Sequence, residues 1–215
     1  MQEKFSVIIC DDHAILLEGL KVTLKCLSCI DEVLISSSIE EAIQILESCK
    51  IDLAIVDLAL AGSSGLTLIN YIKIHSPHTR SLVYTSHEEI WYINALMRSD
   101  LDGVVFKSCT PKELQYAVEC ILNGDKYFCD QFKKLVSHIE MHIPQTSDTL
   151  TAQEKKVLCK LAKGMKAKEI ADELFVSVNT INTHKAHLLS KFNAANTTEL
   201  IIKAFVKGLV ELKVW

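Results

Sequence analysis

Five polar residues carry the chemistry in the first half of the chain: Asp11, Asp12, Asp57, Thr85 and Lys107. Each stands at or just past the carboxyl end of a short apolar run, the runs being Phe5–Cys10, Leu53–Val56, Leu82–Tyr84 and Val104–Phe106. Three carboxylates gathered in one place repel one another, so they must bind protons or a cation. Hard oxygen ligands with positions left for water suit Mg²⁺. An Asp held beside such an ion, with an ammonium and a hydroxyl close by, is set up as a nucleophile that receives a phosphoryl group. A single Asp after a strand more often caps a helix or a turn. Five chemically matched residues at strand ends favour a pocket.

These residues meet only if the apolar runs are parallel strands of one sheet. A further run, Val33–Ser36, brings the number to five, spaced by stretches long enough for helical crossovers. The stretches between have helical periodicity: Leu16, Leu20, Leu24 and Leu27 fall on one helix face, as do Ala42, Ile45 and Leu46. The expectation is an α/β doubly wound domain, a five-stranded parallel sheet over about residues 4–124. With strand order 2-1-3-4-5, strands 1 and 3 flank the switch point, where ligands bind outside the carboxyl ends of the strands.

A second chemistry is written in charge. The net charge of −4 is the sum of +5 over residues 150–215, which hold 11 Lys and no Arg, and −9 over residues 1–149. A basic segment joined to an acidic one is a nucleic-acid candidate. From Thr151 onward the pattern is purely helical. Thr151-Ala-Gln-Glu154 reads as a capping box and Gly164 as a helix end. Lys168–Leu174, Val178–Phe192 capped by Ser177, and Thr197–Val210 complete an all-α four-helix unit. Ile170, Ala171 and Leu174 can pack on Ile181 and Leu188, which leaves Asn182, Lys185 and Ala186 on the free face of the third helix. A helix fits the major groove of B-DNA and reads base edges there. Lys166, Lys168 and Lys191 are placed for phosphates, Thr180 and Thr183 for hydroxyl contacts, and Ser177 for a phosphate at the helix N-terminus. The absence of Arg removes the commonest guanine contact and favours adenine reading by Asn, hence A·T-rich half-sites.

Asp11-Asp12-His13, Asp57-Leu58, Tyr84-Thr85-Ser86-His87 and Gly103-Val-Val-Phe-Lys107 resemble the receiver domain of two-component response regulators. Leu150-Thr-Ala-Gln-Glu154, Lys168-Glu-Ile-Ala171, Ser177-Val-Asn-Thr-Ile-Asn-Thr-His184 and Lys191-Phe192 resemble the LuxR-type helix-turn-helix. Together they are similar to a NarL/FixJ-type regulator, with residues 1–124 as receiver, 125–149 as a linker with a helix near 127–142, and 150–215 as the DNA-binding domain. The resemblance implies that Asp57 is the phosphoacceptor. It implies that Asp12, Asp57 and the Ala59 carbonyl bind Mg²⁺ directly, Asp11 acting mostly through water. Lys107 would pair with the pocket and the phosphoryl group, and Thr85 would swing towards a phosphoryl oxygen. A sensor histidine kinase would be the donor, duplex DNA the target and a homodimer the binding form. His184 is typical of the family and reads as packed. Departures are Ala61 for a usual Pro, Val104 for a usual aromatic, Ser108 for a frequent Pro, and Gln153, Ala167 and Thr197 in the helical domain.

Other readings carry less. A phosphatase with an aspartyl-phosphate intermediate usually needs a second Asp where Ala59 stands, so no enzyme beyond self-phosphorylation is expected. A phosphate-independent DNA binder with a relic pocket is the main alternative, and a LuxR-type sensor of a small ligand does not need the acid, Thr and Lys set. Cys26-Leu-Ser-Cys29 lacks a second pair for zinc, and in His138-Ile-Glu-Met-His142 the Glu is misplaced for a zincin helix. The eight cysteines lack regular spacing, and neither a signal peptide nor an apolar run of about 18 residues is apparent, so a cytoplasmic protein without a membrane span is expected.

Overall fold

The structure is a computed structural model that describes residues 4–60, 63–142, 150–207 and 209–210. The chain divides into two compact units, residues 1–88 with 99–135 and residues 89–98 with 136–215. The elements run β1 (Phe5–Cys10), α1 (Ala14–Lys25), β2 (Ile30–Ser36), α2 (Ile39–Ser48), β3 (Leu53–Val56), β4 (Ala59–Leu60), β5 (Ser63–Ser64), α3 (Gly65–His75), β6 (Arg80–Thr85), α4 (Ile90–Arg98), β7 (Gly103–Phe106), α5 (Pro111–Leu122), β8 (Tyr127–Phe128), α6 (Asp130–His142), α7 (Ala152–Ala162), α8 (Ala167–Leu174), α9 (Val178–Lys191) and α10 (Thr197–Val206).

In the first unit the main sheet has the order β2-β1-β3-β6-β7-β8, and all its pairs are parallel. Every residue of β3 and β7 is buried, and so is the second half of β1. Strands covered on both faces need such unbroken apolar runs. Side chains alternate between the faces. Val7, Ile9, Leu53, Ile55 and Leu82 pack with Leu17, Leu20 and Leu24 of α1 and Leu114, Val118 and Ile121 of α5 in one core. The helices start where chemistry allows. Ser38 accepts from the Glu41 amide at α2, and Thr110 accepts from the Glu113 amide at α5, with Pro111 in the first turn.

The sheet has the five expected strands and one more. Residues 127–128, expected to begin a helix, pair instead with β7, and the helix starts at Asp130. The reason lies in Gly103, which faces Tyr127 in the register. A Cβ at Gly103 would stand 2.6 Å from the Tyr127 carbonyl oxygen, so only glycine admits the sixth strand.

In the second unit Val157, Leu158, Ile170, Ala171, Ile181, Leu188 and Leu200 form a core shared by α7, α8, α9 and α10. The Thr151–Glu154 capping box is present. Gly164 takes φ +79 after α7, and Phe175 takes the left-handed region, φ 54, at the end of α8. The polar stretch 144–149, Ala61 and the side chain of His142 lie outside the described residues.

Candidate functional site

Register places the acidic residues before any side chain is considered. Cys10 pairs with Val56, so Asp11 and Asp57 leave neighbouring strands side by side. Thr85 pairs with Phe106, and the Lys107 amide donates to the Thr85 carbonyl at 2.8 Å. Asp11, Asp57 and Thr85 are buried, whereas Asp12 is exposed.

Lys107 reaches back across the strand ends. Its Nζ lies 2.6 Å from Asp11 Oδ2 and 2.9 Å from Asp57 Oδ2. Burial pulls its pKa down, but hydrogen bonds to Asp11 and Asp57 outweigh that and hold the ammonium above its ordinary value. The other Asp57 oxygen, Oδ1, accepts from the Leu58 amide at 2.7 Å. Thr85 Oγ1 accepts from the His87 amide at 3.2 Å. Cys10 is buried beneath, where burial pushes its thiol up to about 11, with the Asp11, Glu41 and Asp57 charges adding to the rise against a hydrogen bond with Ser36.

After Asp57, β4 and β5 pair antiparallel, with Ala59 opposite Ser64. The Gly65 amide donates to the Leu58 carbonyl at 2.9 Å. A Cβ at Gly65 would stand 1.9 Å from the Asp57 carbonyl oxygen. Sequence reading passed over this glycine, although a Gly opening a helix a few residues after Asp57 is a usable signal. It passed over His13 too. The His13 amide donates to Asp11 Oδ1 at 2.9 Å, and the ring Nδ1 lies 3.0 Å from Asp11 Oδ1 and 2.8 Å from Asp12 Oδ1.

Among the described residues, Asp11, Asp12, His13 and Asp57 form a group whose ligand atoms lie within 4.8 Å of one another. Carboxylate oxygens so placed fit a hard divalent ion such as Mg²⁺. Val104 is fully buried within β7, so the position that an aromatic often holds is aliphatic core here. All eight cysteines are free thiols.

In the second unit α8, the turn at Phe175 and α9 form a helix-turn-helix. Ile181 and Leu188 face the core, while Asn182, Thr183 and Ala186 are exposed and Lys185 is half-buried. Asn179 and His187 are exposed on α9 as well. Lys166 and Lys168 are exposed at the start of α8, and the Lys166 amide donates to Glu169 Oε2 at 2.7 Å. Ser177 Oγ accepts from the Thr180 amide at 3.0 Å and lies 2.8 Å from Thr180 Oγ1, so both hydroxyls serve the cap of α9. Thr183 Oγ1 donates to the Asn179 carbonyl. His184 is half-buried.

Lys191 departs from the expectation of a phosphate contact. Its Nζ lies 2.8 Å from Glu154 Oε2, and the same oxygen accepts from the Thr151 amide. Glu154 is only 4% exposed. The Lys191 ammonium is therefore committed to a buried carboxylate. That carboxylate sits well below its usual range, at about 2, chiefly through the Lys191 hydrogen bond and then the Thr151 amide.

A sheet with an acid, hydroxyl and ammonium pocket at its carboxyl edge, in one chain with a basic helix-turn-helix, defines a response regulator. The chain belongs to that family: the response regulator receiver domain matches residues 7–119, and the luxR family of bacterial regulatory proteins matches residues 148–204. It is similar to the Fimbriae Z protein of Salmonella typhimurium, 36% identical over 91% of this chain and 94% of the relative. It is 29% identical to the oxygen regulatory protein NreC of Staphylococcus aureus over 95% of this chain and 99% of that one. Among solved structures it resembles RcsB of Salmonella enterica serovar Typhimurium bound to promoter P1flhDC with the phosphomimetic BeF₃⁻. There the TM-score is 0.66 and the identity 28%, over 94% of this chain and 98% of that one. Among the described residues no helix is long and apolar enough to cross a membrane.

Proposed function

We propose that residues 1–124 take a phosphoryl group on Asp57 from a sensor histidine kinase and so control duplex DNA binding by residues 150–215, with residues 125–149 linking the two. The observation that carries the reading is the juxtaposition of Asp57 with Asp11 and Lys107, three charged groups held within hydrogen-bond distance at the strand ends. One Asp57 carboxylate oxygen forms a bond to phosphorus while the phosphorus–nitrogen bond to the donor histidine breaks, leaving an acyl phosphate on this chain. Asp11, Asp12 and Asp57, with the Ala59 carbonyl, are the groups that would hold Mg²⁺. Bound there, the ion would neutralise charge on the phosphoryl oxygens. Lys107 then shifts its attraction from the bare carboxylate to the phosphoryl group, and the Thr85 hydroxyl turns towards the same oxygens.

Phosphate shifts the balance between two states of the protein only by its differential affinity for them. Solved complexes of RcsB include two dimers bound to two parallel DNAs. A homodimer on paired, A·T-rich half-sites is the matching form here, with Asn182, Thr183, Lys185 and Ala186 towards the bases and Lys166 and Lys168 towards phosphates.

The test is incubation of the purified chain with a small phosphodonor and Mg²⁺, read by intact mass and by DNA binding. One labile adduct is expected, with tighter DNA binding, and Asp57→Asn should abolish both. A wild-type chain that binds DNA equally tightly with and without the adduct is instead a phosphate-independent regulator.

A further inference from the structure

We propose that His13 supplies a nitrogen ligand at the rim of the acidic pocket, so that the pocket holds an imidazole-accepting divalent cation, Mn²⁺ or a later member of the series, more firmly than its carboxylates alone would. The inference rests on the reading of this pocket as a cation-assisted phosphoacceptor site and deepens it.

His13 is positioned from two sides. It is the residue before the first turn of α1, with an extended backbone, and its amide donates to Asp11 Oδ1 at 2.9 Å. Its ring is thereby held over the acids, with Nδ1 at 3.0 Å from Asp11 Oδ1 and 2.8 Å from Asp12 Oδ1. Lys107 occupies the opposite oxygens, Asp11 Oδ2 and Asp57 Oδ2. The carboxylates are thus shared between an inner ammonium and an outer imidazole. The His13 side chain is 69% exposed, so an ion can enter beside it.

Nδ1 faces one oxygen of each of two carboxylates, so a divalent ion held by those oxygens would lie within reach of the ring nitrogen. The four ligand atoms lie within 4.8 Å of one another, close to the span of about 4.4 Å across an ion with bonds near 2.2 Å, so small side-chain shifts suffice. Imidazole suits transition cations, whereas Mg²⁺ prefers oxygen and water. His13 therefore separates the two classes of ion, and the carboxylates alone do so less.

The experiment uses the full chain with Mn²⁺ alone and, separately, Mg²⁺ alone. Pulsed electron paramagnetic resonance of the Mn²⁺ form reports whether a nitrogen is bonded directly to the metal, and titrations give both affinities. The wild type should show nitrogen coupling. His13→Ala and His13→Gln should abolish it and weaken Mn²⁺ by roughly tenfold, with Mg²⁺ changed less than about twofold. Helix dichroism confirms that both variants fold. Wild-type Mn²⁺ without nitrogen coupling overturns the proposal, as does an equal loss of both ions in the variants, which would make His13 only a hydrogen-bond partner of Asp12. A wild-type chain that binds neither ion overturns the phosphoacceptor reading as well.

Discussion

Lys107 Nζ joins two carboxylates from different strands, 2.6 Å from Asp11 Oδ2 and 2.9 Å from Asp57 Oδ2. The pocket is thus held by a cation of the chain itself. Transfer of a phosphoryl group to Asp57, as proposed, would give that cation a more highly charged partner. Lys107→Ala should still form the Asp57 adduct, only more slowly, because the nucleophile remains. The adduct should no longer tighten DNA binding, because the group that senses the new charge is gone. Thr85→Ala removes the buried hydroxyl at the strand end and should uncouple the two events in the same way. Intact mass against DNA-binding anisotropy separates adduct from response. If both variants respond as the wild type does, the signal leaves the pocket by another route.

The pocket was largely legible in the sequence because its residues sit at strand ends, and strands of this kind announce themselves as apolar runs. Once the order 2-1-3-4-5 is granted, Asp11 and Asp57 have no choice but to be neighbours. His13 was not legible as part of the set, because the ring's aim at Asp11 and Asp12 depends on how α1 leaves β1. The sixth strand is two residues long and rests on Gly103 meeting Tyr127, a tertiary match with no local signal. Lys191 reads as a phosphate contact from the sequence because helix periodicity cannot see Glu154, 37 residues away.

Gly65 offers a structural test of the loop that follows Asp57. A Cβ there falls 1.9 Å from the Asp57 carbonyl oxygen, so Gly65→Ala must push the loop or α3 aside. Overpacking of this kind costs roughly 1–3 kcal/mol. The variant should melt lower and take up the phosphoryl group more slowly. Gly19 in α1 is the control, since a Cβ there meets nothing within 4 Å. Gly19→Ala should leave phosphorylation intact and gain about 0.5–1 kcal/mol from reduced backbone freedom. Equal phosphorylation rates in the two variants would show that the Asp57 loop tolerates displacement.

The Glu154–Lys191 pair sets a pH dependence. The Glu154 carboxyl is lowered from 4.5 to about 2 in the folded chain. A depressed folded value means that the folded state holds the proton less tightly than the unfolded one. Its stabilisation is therefore complete above about 4.5 and is lost as pH falls towards about 2. Glu154→Gln keeps an acceptor for the Thr151 amide but cannot ionise, and it leaves Lys191 without its carboxylate. Thermal melting should show the wild type ahead of Glu154→Gln at neutral pH, with the gap closing across that window. A gap that stays constant down to pH about 2 would mean that the charge of Glu154 contributes nothing to stability.

Base reading and phosphate holding can be separated on the second unit with Asn182 and Lys168. Asn182 is exposed on α9, on the side away from Ile181 and Leu188, where an amide can bond both the donor and the acceptor on the edge of adenine. Lys168 is exposed in the first turn of α8, where an ammonium can meet phosphate, a contact that carries no base information. Lys191 is unsuited to this comparison because its replacement would strand the buried Glu154 carboxylate. Asn182→Ala should relax preference at one base pair and cost roughly 1–3 kcal/mol against the best site, with little change on unrelated DNA. Lys168→Ala should weaken all sequences alike and reduce the slope of log K against log salt by about 1, as one counterion fewer is released. Selection from a randomised site followed by salt titration measures both effects. If Asn182→Ala leaves the selected sequence unchanged while Lys168→Ala alters it, the assignment of α9 as the reading helix and of α8 as a phosphate clamp is reversed.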